Sequence, residues 1–179
     1  MDKKCIVLLS GGIDSTTCLA IALKKFLPKD ILGLTIYYGQ KHAKEIEAAH
    51  LIANYYNIQL QEIDLSLIYA NNSNCSLLNN SLSFIPEQSY EKQKQNNKLI
   101  STYVPFRNGL MLSTAASIGV NINTEIIYYG IHKDDVNEEA YPDCSFNFNN
   151  AMNKAIYEGT GGQISIIAPF VNMSKADII

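Results

Sequence analysis

This sequence has no long apolar run. Its most hydrophobic stretches, residues 6–9 and 164–171, fall far short of the ~20 residues a helix needs to cross a bilayer, which excludes a membrane-spanning segment. An excess of positive charge is also missing: fourteen Lys and Arg face seventeen Asp and Glu, a formal net charge of −3. No broad basic footprint is available, so a nucleic-acid partner is disfavoured. Cysteine is sparse, and Cys5, Cys18, Cys75 and Cys144 form no C-x-x-C step. Neither a disulfide framework nor a zinc knuckle can be read from that spacing. The first residues enter a strand-like run with no secretory h-region before it, so the expectation is a protein of the reducing cytoplasm. Two common nucleotide motifs are lacking as well. Without Gly-x-x-x-x-Gly-Lys-Ser/Thr there is no Walker A loop, and without Gly-x-Gly-x-x-Gly a dinucleotide fold is disfavoured.

What is present is an alternation of strand and helix signals. Of the 179 residues 47% are hydrophobic and 17% charged, which suits one compact domain over 1–179. Residues 5–10 (CIVLLS) and 31–38 (ILGLTIYY) read as strands buried on both faces, and residues 58–65 as a third strand. Between them Leu19, Ala22, Leu23 and Phe26, then Ala43, Ile46, Ala49, Ala53 and Tyr56, mark helical faces. Two βα units in a row imply parallel strands joined by right-handed crossovers. Regularity fails over residues 66–101, where Asn, Ser and Gln dominate, and the expectation is an insertion or lid. It returns with a helix through Leu110, Met111, Thr114, Ala115 and Ile118, a strand at 124–130, a helix at 143–157 and a strand at 164–168. Ser174 and Asp177 then resemble a capping box one methylene short, so a helix is being started where the sequence ends and the chain is expected to be cut short.

The segment Ser10-Gly11-Gly12-Ile13-Asp14-Ser15-Thr16 lies between a buried strand and a helix, where open α/β sheets bind ligands. Two glycines allow close backbone approach, the helix N-terminus offers unpaired N–H groups and a positive dipole end, and the hydroxyls of Ser10, Ser15 and Thr16 add donors. Asp14 is repulsive toward a phosphate unless Mg²⁺ lies between them; alternatively Asp14 or Ser15 merely caps the helix.

This loop resembles the pyrophosphate loop, Ser-Gly-Gly-x-Asp-Ser, of the N-type ATP pyrophosphatases. With Tyr38-Gly39-Gln40 and Lys41-His42, Val104-Pro105-x-Arg107-Asn108 and Tyr141-Pro142-Asp143-Cys144, the chain resembles the 7-cyano-7-deazaguanine synthase family of the queuosine pathway over essentially its whole length. The resemblance implies an adenine nucleotide alpha hydrolase-like fold, a doubly wound, mainly parallel Rossmann-like sheet. It implies a ligase that joins 7-carboxy-7-deazaguanine and ammonia through adenylated intermediates, with ATP going to AMP and pyrophosphate, and it suggests a homodimer. Ser10 to Thr17, including Ile13 and Thr17, would cradle the β and γ phosphates, with Asp14 facing them through Mg²⁺. The family also carries a structural Zn²⁺ on four cysteines in a tail that this sequence lacks. No metal ligand is assigned here, and the chain is expected to bind no stoichiometric zinc and to fray after about Phe170.

Outside the loop, Tyr38, Gln40, Arg107, Asn108, Asp134, Tyr141 and Asp143 are candidates for substrate contact. Arg107 would neutralise a substrate carboxylate or a phosphate, or else pair with a surface acid. Lys175 sits at a helix N-terminus, the wrong end of the dipole for a cation, which hints at an anion there; the alternative is a solvated lysine. Asp143 would accept from a guanine-like edge or cap the 143–157 helix. Asp134 and Asp135 would bind substrate or metal, or are solvated. His42 is expected on a helix surface, and His50 and His132 have no ligand spacing. Two other readings stay open: a tRNA-modifying enzyme with the same loop, which would need a basic surface, and a catalytically impaired adenine-nucleotide-binding fragment.

Overall fold

The computed structural model describes residues 2–41, 44–71, 75–78, 102–135 and 141–178. Five strands, β1 (Cys5–Leu8), β2 (Ile31–Tyr37), β3 (Gln59–Asp64), β4 (Ile126–Tyr128) and β5 (Ser165–Ile167), form one sheet in the order β3-β2-β1-β4-β5. Every pairing is parallel, with Cys5 opposite both Ile31 and Ile126. Helices α1 (Ile13–Leu23), α2 (Lys44–Tyr55), α3 (Arg107–Asn121) and α4 (Phe146–Gly159) connect them, and a short α5 (Lys175–Ile178) follows β5. The fold is the doubly wound α/β sheet that the strand and helix signals imply.

Period-two alternation sends the strand side chains to two cores. Cys5, Val7, Leu9, Ile31 and Tyr128 pack with Cys18, Leu19, Ala22, Ala49 and Ala53 of α1 and α2. Ile6, Leu32, Leu34, Ile127 and Tyr129 pack on the other face with Leu112, Ala115 and Ala116 of α3 and Ile156 of α4. The chain therefore winds outward from β1 along one face, then back across the other, and the order reverses between β1 and β4. That switch point is where a crevice must open at the carboxyl ends of the strands.

Two boundaries differ from the sequence pattern. Helix α4 starts at Phe146, not near 143: Ser145 is its cap and accepts from Phe148 N at 3.0 Å, while residues 142–144 form a 3₁₀ turn. Within 66–101, residues 66–69 also form a 3₁₀ turn, and Cys75 and Leu78 are buried with Tyr38, Tyr69 and Val104 in a third small cluster. Residues 72–74 and 79–101 of that expected insertion or lid lie outside the described residues.

Burial governs the thiols. Cys5 and Cys18 are fully buried, and desolvation pushes each thiol up to about 12. At pH 8 only about one in ten thousand is then thiolate, the form that reacts. Iodoacetamide at that pH is expected to leave both unmodified in the folded protein and to label both in denaturant, as read by mass spectrometry; rapid native labelling of Cys18 would contradict its packing between α1 and the sheet.

Candidate active site

The crevice at the switch point is a cavity of about 330 Å³, walled by the ends of β1, β2 and β4 and by the first turns of α1, α2 and α3. Of the candidate residues, Ser10, Gly12, Asp14, Ser15, Tyr38, Gln40, Arg107 and Asn108 line it; Gly11, Ile13, Thr16, Thr17, Asp134, Tyr141, Asp143 and Lys175 do not.

The loop between β1 and α1 is held by sterics. Gly11 has φ +83°, and a Cβ there would lie 2.6 Å from Glu45 O and 2.8 Å from Ala49 N, so only glycine lets the loop pass under α2. Gly12 is the cap residue of α1 and no side chain caps that helix. Asp14 and Ser15 therefore do not act as its cap. The N–H groups of the first turn, with the dipole behind them, are left for an anion. The hydroxyls behave differently from expectation: Ser15 Oγ and Thr16 Oγ1 donate to Gly12 O at 3.0 and 2.8 Å, and Thr17 Oγ1 to Ile13 O at 2.9 Å. Ser10 Oγ donates to Ser15 Oγ at 3.1 Å. The hydroxyl protons of this loop are thus used within it.

Asp14 meets the far end of the chain. Lys175 Nζ donates to Asp14 Oδ2 at 2.5 Å, so the anion that a cation at this helix N-terminus called for is a carboxylate 161 residues away. Asp134 accepts from Lys175 N at 2.8 Å, capping α5. Ser174 N and Oγ both donate to Asp177 Oδ2, at 2.9 and 2.6 Å, and hold that carboxyl below its ordinary range. Lys133 N donates to Met173 O at 2.8 Å. The segment after Phe170, expected to fray, makes these contacts in the structure. Gly130 explains the approach: a Cβ there would lie 2.8 Å from Asp14 Cβ, so the turn leaving β4 can press against α1. It delivers His132, which the sequence reading passed over for want of spacing. His132 lines the cavity with Nε2 3.9 Å from Asp14 Oδ2. A glycine closing a strand was the available signal.

Opposite stands Arg107. Phe106 just before it is left-handed, φ +55°, its N–H bonded to Tyr103 Oη at 2.9 Å and its ring folded over Gly109. That kink aims Arg107 across the cavity, where Nη1 donates to Tyr38 Oη at 2.9 Å and the guanidinium lies 5.2 Å from the Tyr38 ring centre. Burial opposes the charge, but Tyr38 and Asp143 outweigh it and hold Arg107 protonated. Asp143 does not cap α4; its Oδ2 accepts from Asn108 N at 2.8 Å, serving the start of α3 instead. Asn108 Nδ2 returns to Asp143 O at 3.0 Å and Cys144 Sγ at 3.2 Å. Burial pushes the Asp143 carboxyl up, against the pull of Asn108 N–H and Arg107. Gln40 closes its own turn, accepting from Tyr38 N at 2.8 Å, and Tyr141 Oη pairs with Thr102 Oγ1 at 3.0 Å. His42 lies outside the described residues, as does the side chain of Asp135.

Two metals bear on this site. Asp14 Oδ1 is buried without a hydrogen-bond partner among the described residues. One hard oxygen donor beside an anion cradle fits Mg²⁺, which is commonly held by one or two carboxylates together with substrate phosphates and water. A four-cysteine zinc site does not fit these residues. The four thiols are buried in three separate clusters, and among the described residues no three His, Cys, Asp or Glu side chains gather for a metal. No described helix is long and apolar enough to cross a membrane.

The family model for queuosine biosynthesis protein QueC matches residues 4–179. This chain belongs to the QueC family. Among relatives of this QueC chain, 7-cyano-7-deazaguanine synthase of Oceanobacillus iheyensis is 35% identical over 179 residues, covering 99% of this chain and 76% of that protein. The synthase of Archaeoglobus fulgidus is 36% identical, covering 98% and 70%. Such relatives support an enzyme of queuosine biosynthesis, of the 7-cyano-7-deazaguanine synthase kind. Solved structures share its fold at low identity. A protein described as a predicted subunit of tRNA methyltransferase from Methanocaldococcus jannaschii has TM-score 0.57 at 14% identity, covering 98% of this chain and 73% of that one. The U34-tRNA thiolase NcsA from Methanococcus maripaludis, with its 4Fe–4S cluster, has TM-score 0.57 at 13% identity, covering 99% and 56%. At such identities the likeness concerns the fold alone.

Proposed function

We propose that this chain is an ATP-dependent carbon–nitrogen ligase that converts 7-carboxy-7-deazaguanine and ammonia to 7-cyano-7-deazaguanine through adenylated intermediates. The observation that carries the reading is the uncapped N-terminus of α1 at the switch point, with Gly11 and Gly12 before it and the Asp14–Lys175 pair beside it. A polyanion placed there meets main-chain N–H groups, a helix dipole and an ammonium that can leave Asp14 for it.

The chemistry asks for positioning and charge neutralisation, and no nucleophilic side chain. An oxygen of the substrate carboxylate attacks the α-phosphorus of ATP, and pyrophosphate departs into the N–H cradle. Ammonia displaces AMP from the acyl carbon and leaves the amide. The amide oxygen then attacks the α-phosphorus of a second ATP, and loss of AMP with the remaining nitrogen-bound protons gives the nitrile. Lys175 offsets the charge on the leaving pyrophosphate. Arg107, with the planar fork that suits either anion, holds the carboxylate or the α-phosphate. Asn108 and Asp143 fix the start of α3 from which Arg107 reaches. Mg²⁺, held by Asp14 and the phosphates, would supply further neutralisation of the triphosphate.

Incubating the purified chain with ATP, Mg²⁺, ammonium and 7-carboxy-7-deazaguanine is expected to give two AMP for each nitrile and no ADP. Turnover indifferent to the acid, or ADP as product, would overturn the proposal.

A further inference from the structure

We propose that His132 is a positioning residue for Asp14, fixing the rotation of its carboxylate at the edge of the cavity. For the reaction this rests on the ligase reading above; for the geometry it does not. His132 is 12% exposed and stands between two acids, Nε2 3.9 Å from Asp14 Oδ2 and Nδ1 3.9 Å from Asp134 Oδ2. Asp134 Oδ2 accepts from Lys175 N, and Lys175 Nζ returns to Asp14 Oδ2, so four residues from three segments close a ring. Both basic side chains address the same oxygen of Asp14. The other, Oδ1, is buried and has no partner among the described residues. Leaving a buried acceptor unmatched costs free energy, and such groups call for an explanation.

The backbone under Asp14 is already fixed by its contact with Gly130, so side-chain rotation is the freedom left to its carboxylate. Lys175 is the less durable restraint. Its side chain is 41% exposed on a long flexible stem, and an incoming polyphosphate competes for its ammonium. Once Lys175 turns to the phosphates, His132 still faces Oδ2 and keeps the carboxylate from rotating. At 3.9 Å a small shift or one bridging water completes that contact.

Three variants separate this role from simple space-filling. His132→Gln places an amide nitrogen near the position of Nε2, His132→Asn near that of Nδ1, and His132→Ala keeps neither. Turnover is read with the deazaguanine acid, and ATP affinity by calorimetry in Mg²⁺ without it. Ala and Asn are expected to lower kcat about tenfold or more, and Gln to stay within about threefold of wild type, with the KM for the acid within about twofold throughout. ATP affinity should fall in the same order, with melting temperatures unchanged. Turnover of His132→Ala within about twofold of wild type would overturn the proposal, as would equal losses in all three variants alongside lower melting temperatures. If wild type binds ATP with that order among the variants but makes no nitrile, the ligase reading fails and the positioning role stands. A wild-type chain that neither binds nor turns over ATP overturns both.

Discussion

Replacing Lys175 with methionine is expected to lower ATP turnover by roughly 100- to 1000-fold, the usual cost of deleting one fixed charge that meets developing negative charge. The ammonium lies on Asp14 Oδ2, at the N-terminus of α1, where the leaving pyrophosphate would be bound. Methionine keeps the length and apolar stem of lysine and removes only the charge. Stability should hardly respond. With side chains 41% and 21% exposed, the pair is screened and worth at most about 1 kcal/mol, a few degrees of melting temperature in a domain of this size. Kinetics and a thermal melt on one preparation check both halves. Turnover within threefold of wild type would remove Lys175 from the chemistry and return it to the solvated surface.

The second large effect concerns folding. Gly11→Ala should cost about 3 kcal/mol or more, because a left-handed φ is unfavourable for any Cβ and this one would drive into the main chain of α2. Carbonyl and amide atoms of a helix cannot swing aside as a side-chain tip does. A fall in melting temperature on the order of 6–12 °C follows for a chain of this length. Gly12→Ala is the control. A Cβ there meets only Ser10 Oγ, at 3.5 Å, so the cost should be about 1 kcal/mol, that of alanine at a helix cap. Equal melting of the two variants would mean that the loop does not run under α2.

Much of this layout was legible because burial on both faces leaves a simple trace. The runs CIVLLS and ILGLTIYY could only be inner strands, and they are β1 and β2 beside the switch point. The loop was legible for a similar reason, since adjacent glycines between a buried strand and a helix have few other uses. What stayed hidden depended on distance along the chain. No local pattern joins Asp14 to Lys175, and His132 gains meaning only when Gly130 brings β4 against α1. Asp143 is expected from sequence either to accept from a guanine-like edge or to cap the helix that follows it, and the structure removes the second of these uses. Its partner is Asn108 N, thirty-five residues upstream, and the cap of α4 is Ser145. The hydroxyls of Ser15 and Thr16, expected as ligand donors, donate to the Gly12 carbonyl one turn back, a use that local sequence does not announce.

The central claim is adenylyl transfer to oxygen at this cradle, and the fate of the substrate's own oxygens tests it most directly. 7-Carboxy-7-deazaguanine labelled with ¹⁸O in both carboxylate positions is converted with unlabelled ATP, and the products are weighed by mass spectrometry. Attack of the carboxylate oxygen, then of the amide oxygen, on successive α-phosphorus atoms predicts one ¹⁸O in each of the two AMP molecules and none in pyrophosphate. Unlabelled AMP, or ¹⁸O in inorganic phosphate alongside ADP, would contradict the account.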